Sequence, residues 1–247
     1  MGRWSRLVAS QFLGWLAPSS RLRWLDVGCG TGALAAAIAS TVDPLRLAAV
    51  DPSVGFAATA RADATLAGAL VGVADGQRLP FAAGSFDLTA AGLVVNFAAD
   101  PAALLAEMVR VTVPGGTVAG YVWDYAGRMR MLRMFWEVAA QLRPDDSWAD
   151  EGRRFPLCRP EPLRELWGAA GLTGVEAEPV DMTMEYRDFD DYWLPFLGGQ
   201  GPAGEYVASL PERRRIALRE VLRARLPGGP DGSIRLSGRV WAVRGRR

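Results

Sequence analysis

Histidine and lysine are both absent from the 247 residues of this chain. Without histidine there is no Ser-His-Asp triad and no imidazole-based zinc site; without lysine there is no P-loop lysine and no Schiff-base nucleophile. Cysteine is scarce as well. Cys29 and Cys158 have no metal-ligand spacing and suggest no disulfide framework, so no metal is expected and a reducing, cytoplasmic compartment is. No apolar run approaches the roughly 20 residues that span a bilayer. The stretch from Gly2 to Pro18 places an arginine before apolar residues in the manner of a signal peptide, but Ser5, Arg6, Ser10 and Gln11 interrupt it. An excess of one charge is also missing. The formal net charge is +1, so nothing in the balance calls for nucleic acid or an anionic membrane as partner. The arginine clusters Arg213-Arg214-Arg215 and Arg244 to Arg247 read as a solvated helix face and a tail.

What is present is a folded, soluble composition, half hydrophobic and 22% charged. Strand patterns at 23–27, 45–50, 69–73, 86–94 and 117–123 alternate with helical patterns at 33–40, 54–64 and from Pro101 onward. Such alternation predicts an α/β fold, a parallel sheet with helices on both faces. The second half is less regular, with helices at 128–142, 161–170 and 211–225 and strands at 175–186 and 234–243. An amphipathic N-terminal helix would bury Leu7, Phe12, Trp15 and Leu16. With no repeat and no low-complexity linker, one domain over 1–247 is expected. Its parts are an N-terminal helical cap (1–22), a cofactor-binding core (23–123), two insertions forming a substrate lid (124–160 and 187–230), and closing elements (161–186 and 231–247).

The chemistry sits in Leu25-Asp26-Val27-Gly28-Cys29-Gly30-Thr31-Gly32, a glycine-rich turn between a strand and a helix. Such turns let a ligand approach the backbone. Gly28, Gly30 and Ala33 fit a dinucleotide-binding G-x-G-x-x-A, with Asp51 about 20 residues on for a ribose hydroxyl, as in a nicotinamide-dependent oxidoreductase. Gly28, Gly30 and Gly32 fit equally the G-x-G-x-G of methyltransferases, and a purely structural tight turn would also explain them. Asp26 separates the first two. A diphosphate wants uncompensated amides at the helix N-terminus, and a carboxylate two residues before the first glycine opposes it. S-adenosylmethionine carries a sulfonium and an ammonium but no phosphate, and tolerates or favours that carboxylate. Asp26 bonded only to nearby backbone N–H groups is the alternative.

From Trp24 to Tyr121 the sequence resembles the class I S-adenosylmethionine-dependent methyltransferases, in particular the small-molecule, ubiquinone/menaquinone-methyltransferase-like group. Leu25 to Gly32 matches the first motif, and Ala49-Val50-Asp51-Pro52-Ser53 the acidic end of the second strand. Val73 to Phe81 matches the D-A-x-x-L-P-F segment. Ser85-Phe86-Asp87 with Ala91-Gly92-Leu93 matches the fourth strand, and Val111 to Gly116 the turn before the fifth. The resemblance implies a Rossmann-like, doubly wound, mostly parallel seven-stranded sheet with an antiparallel last strand and helical, aromatic insertions. It implies S-adenosylmethionine as cofactor, held by Asp26, Gly28, Cys29, Gly30, Gly32, Asp51, Pro52, Asp75, Gly76, Ala91 and Gly92. Asp51 would take the ribose hydroxyls, Asp75 the adenine amine, the Gly76 amide a ring nitrogen, and the fourth strand's last carbonyls the methionine ammonium. One departure stands out: many relatives have a histidine after the fourth strand, where this chain has Asn96-Phe97, so a general base at that position is in doubt.

Methyl transfer from a sulfonium needs alignment and exclusion of water more than a base. Asp124 and Tyr125, after the fifth strand, are the candidates if a proton must be removed; a loop carboxylate or helix cap is the other reading of Asp124. Asn96, Trp123, Tyr192 and Trp193 are candidate contacts to a small, partly apolar acceptor, and packing of the insertions explains the same aromatics. A non-catalytic relative would have no reason to keep Asp26, Asp51 and Asp75 together.

Overall fold

The computed structural model describes residues 2–199 and 201–247. Met1, in the expected cap, and Gln200, in the expected second insertion, lie outside the described residues. Seven strands form one sheet in the order β3-β2-β1-β4-β5-β7-β6. They are β1 (Arg23–Val27), β2 (Arg46–Asp51), β3 (Leu70–Val73), β4 (Phe86–Gly92), β5 (Thr112–Trp123), β6 (Thr173–Tyr186) and β7 (Ile234–Arg246). β1 to β5 pair in parallel, and β7 runs antiparallel between β5 and β6, so the doubly wound sheet has the expected antiparallel last strand.

The chain divides into two compact units. The first comprises residues 1–122, 159–180 and 240–247. It holds α1 (Gly2–Leu16), α2 (Ala33–Thr41), α3 (Val54–Arg61), α4 (Pro101–Val111) and α7 (Pro160–Ala169) with most of the sheet. The second comprises 123–158 and 181–239, with α5 (Arg130–Leu142), α6 (Glu151–Arg154), α8 (Phe189–Leu197), α9 (Gly201–Ser209) and α10 (Glu212–Arg225). Its core is aromatic: Phe135 stacks on Phe196 at 4.7 Å and meets Trp136 edge-on at 4.9 Å.

Several boundaries differ from the sequence reading, each for a local reason. The helix expected over 54–64 ends at Arg61, because Asp63 accepts the Thr65 N–H and starts a separate 3-10 turn. β4 stops at Gly92. Leu93 then takes a left-handed φ of 63°, its N–H still bonded to the Tyr121 carbonyl, and a 3-10 turn over Val95–Phe97 follows. Pro114-Gly115-Gly116 does not precede β5 but lies inside it. The β4–β5 register shifts there, and Gly115 N–H and Gly116 C=O pair with Arg247 of the chain's last stretch instead. In α1 the buried residues are Trp4, Val8, Ala9, Phe12, Leu13 and Leu16, while Leu7 and Trp15 are only half-buried. The helix is rotated from the expected face, which lets Phe12 lie 4.7 Å from the Tyr121 ring.

Candidate cofactor and active site

Strand register creates the site. Asp26 of β1 lies opposite Ala49 of β2 and Ala90 of β4, Asp51 opposite Val73 of β3, and Gly92 opposite Tyr121 of β5. Because these strands are parallel, their carboxyl ends share one edge. The glycine turn, Asp51, Asp75 and Gly92 therefore gather where open α/β sheets take ligands.

The turn is held from both sides. Gly28 and Cys29 N–H groups both donate to the Val50 carbonyl, at 2.8 and 2.9 Å. Gly30 N–H donates to Asp51 Oδ2 at 2.8 Å, and Ser53 N–H donates to Asp51 Oδ1, also at 2.8 Å. Each Asp51 oxygen keeps a second acceptor direction for another donor. Gly28, Gly30 and Gly32 have φ of +71°, +55° and +89°, a region side chains avoid. They differ in surroundings. A Cβ on Gly28 would fall 2.6 Å from Val94 and one on Gly32 2.9 Å from Leu66, whereas one on Gly30 would meet nothing within 4 Å. The backbone at Gly30 is thus open to a ligand.

Asp26 is 1% exposed, and its Oδ2 accepts the Ala35 N–H in the first turn of α2 at 3.0 Å. Its Oδ1 is buried with no hydrogen-bond partner. Burial pushes this carboxyl up to about 7, with the Ala35 bond opposing and the Asp51 charge adding to the shift. Burial, with Asp26 and Asp51 nearby, also raises the Cys29 thiol far above its usual range, so it is no nucleophile.

Asp75 is exposed, with Oδ1 accepting the Gln77 N–H at 2.9 Å. Gly76 beside it is buried; a Cβ there would lie 2.7 Å from Leu104 and 2.9 Å from Val27. Pro52 is exposed just beyond Asp51, and Ala91 is buried at the end of β4. Asn96 sits in the 3-10 turn after β4, its Nδ2 buried and unpartnered. The sequence reading missed Tyr121 and Val94. Tyr121 is 2% exposed, and its hydroxyl lies 2.6 Å from where a Gly92 Cβ would be. Burial and then the Asp26 charge push its phenol well above the ordinary range. No spacing rule reveals either residue, since only the register of β5 against β4 and the reversal at Leu93 bring them in.

The remaining candidates belong to the second unit. Trp123 is 3% exposed. Asp124 Oδ2 accepts the Arg128 N–H at 2.8 Å and its carbonyl accepts from Gly127 and Met129, so it organises the turn into α5. The Tyr125 ring packs 5.4 Å from Phe155. Tyr192 is fully buried and donates its hydroxyl to the Met131 carbonyl at 2.9 Å. Trp193 stacks on Phe189 at 6.3 Å.

Comparison with known proteins identifies the family. A family model described as a methyltransferase domain matches residues 25–120, the span from β1 into β5. The chain is 33% identical over 201 residues to an uncharacterised protein of Mycobacterium tuberculosis, covering 79% of this chain and 70% of that one. It is 31% identical over 173 residues to the demethylmenaquinone methyltransferase of Geobacillus kaustophilus, covering 64% and 73% respectively. In structure it resembles a Haemonchus contortus phosphoethanolamine N-methyltransferase solved with S-adenosyl-L-methionine. That match has a TM-score of 0.56 at 18% identity and covers 96% of this chain and 52% of the other. The open backbone at Gly30 and the buried, unpartnered Asp26 Oδ1 fit a cationic nucleoside cofactor better than a diphosphate. The cofactor is S-adenosylmethionine, and the chain belongs to the class I S-adenosylmethionine-dependent methyltransferases.

Proposed function

We propose that this enzyme methylates a small, partly apolar acceptor, and that the sheet edge from Gly28 to Gly92 is its cofactor site. The observation that carries the reading is Asp51 bonded to the Gly30 N–H of the glycine turn, with Asp26 Oδ1 buried and unpartnered on the neighbouring strand. Asp51 takes the ribose hydroxyls through the acceptor directions its two backbone bonds leave open. Asp75 Oδ2 takes the adenine amine and the Gly76 amide a ring nitrogen. Asp26 and the carbonyls of Ala91 and Gly92 face the methionine ammonium, while Gly28, Cys29, Gly30, Gly32 and Pro52 line the approach. Calorimetry with S-adenosylhomocysteine and with NAD tests this assignment. Saturable binding of the first alone is expected, and binding of NAD alone would overturn it.

S-adenosylmethionine, when bound, would supply a methyl group on a positively charged sulfur, which is a good leaving group for transfer to the acceptor. The chain's own task is alignment and exclusion of water. The unpartnered Nδ2 of Asn96 is the donor available to orient an acceptor oxygen or nitrogen. Asp124 is committed to its turn and Tyr125 to ring packing, so neither is assigned as a base. Trp123, Tyr192 and Trp193 are assigned to packing of the helical unit. No side chain is therefore assigned to take a proton from the acceptor. Asn96→Ala is expected to lower kcat/KM for the acceptor about ten-fold or more while leaving S-adenosylhomocysteine affinity unchanged.

A further inference from the structure

The second unit contains a groove that the methyl-transfer reading does not use. Two cavities of about 280 and 380 Å³ meet in it and share Arg143, Tyr206, Leu210 and Arg214. Their volumes sit near the lower end of small-molecule sites. The smaller cavity is walled chiefly by apolar side chains, with Leu142, Leu210 and Leu218 contributed by α5, the α9–α10 connection and α10. Leu142 is 42% exposed, although the groove could have been closed by packing. At the larger cavity's rim Trp148 is 68% exposed.

Charge at the junction is specific. Arg143 Nε lies 2.8 Å from Asp146 Oδ2, and Tyr206 donates its hydroxyl to the same oxygen at 2.9 Å. That pair cancels. Arg214 and Arg154 also line the groove, and neither has a carboxylate within ion-pair distance among the described residues. The remaining lining carboxylate is Glu205. Two uncancelled cations against one anion leave one positive charge. Arg214 faces the junction: burial pushes the Tyr206 phenol up to about 12, Asp146 reinforces this, and Arg143 and Arg214 oppose it.

We propose that this groove binds an amphipathic monoanion, such as an aliphatic carboxylate, with its head group on Arg214 and its apolar body along Leu142, Leu210 and Leu218. A guanidinium forms a charge-assisted bond with a carboxylate, and the apolar wall gains by leaving water. None of these residues belongs to the cofactor site, so the inference stands apart from the cofactor assignments.

Calorimetric titration of the full chain with octanoate, octanol and octyltrimethylammonium tests it. Octanoate should bind saturably, octanol about ten-fold or more weakly, and the ammonium more weakly still. Arg214 and Ala217 are both exposed on α10, so Arg214→Gln and Ala217→Glu should keep the wild-type thermal midpoint. Each should weaken octanoate at least about ten-fold. Absence of saturable octanoate binding, equal affinity for octanol, or unchanged affinity in folded Arg214→Gln would each overturn the proposal.

Discussion

Asp26 is a carboxyl whose charge at neutral pH is set by burial. Its value of about 7 means the proton is substantially held below that pH in the free protein, with Asp51, Cys29 and Tyr121 as its titratable neighbours. A cofactor ammonium favours the ionised form, so binding should release a proton. Affinity should be lost as pH falls through about 7, by up to about ten-fold per pH unit. Titrations of S-adenosylhomocysteine in buffers of different ionisation heat measure that proton, and Asp26→Asn should abolish both the release and the slope. If Asp51 holds the ribose as proposed, Asp51→Ala removes the acceptor for its two hydroxyls and should weaken cofactor binding by roughly 1.5–3 kcal/mol. Unchanged affinity in that variant would misplace the site. These carboxylates were legible as candidates because each lies at or near the carboxyl end of a short apolar strand, and parallel pairing aligns strand ends. Tyr121 was not legible as a neighbour of Asp26, since adjacency across two strands depends on a register that the β5 bulge shifts.

Among the elements, α1 meets β5 at a ring contact. Phe12 is fully buried and its ring lies 4.7 Å from Tyr121. Phe12→Ala should cost about 3–5 kcal/mol, read as a lower urea midpoint at unchanged slope. The parallel core was readable strand by strand, because short apolar runs between glycine and proline punctuation leave little ambiguity. Pro114-Gly115-Gly116 misled for the same reason: punctuation residues also make bulges, and only the pairing with Arg247 tells the two apart. The region after Tyr186 read as irregular because glycine and proline are dense there. Yet Phe189, Tyr192, Trp193 and Phe196 have helical spacing, and Asp188 caps them by accepting the Asp191 N–H.

At the scale of the whole molecule, every cationic side chain is a guanidinium, which stays charged beyond pH 12. Among the carboxyls, burial raises Asp26 to about 7 and pushes Glu151 up. Electrophoretic mobility should therefore change by only a few charges between about pH 6 and about pH 10, where a lysine-bearing protein begins to titrate. A steep mobility change in that window would show ionisable groups behaving otherwise. The division into units has a different consequence, for inheritance. The helical unit is not one stretch of coding sequence but two, 123–158 and 181–239. Of its junctions, 122/123, 180/181 and 239/240 fall inside β5, β6 and β7, and only 158/159 falls between elements. A recombination that trades this unit between relatives must exchange both stretches at once and restore three strands in register. Changes to the helical unit are therefore expected to accumulate as point substitutions within one lineage, rather than arrive by exchange.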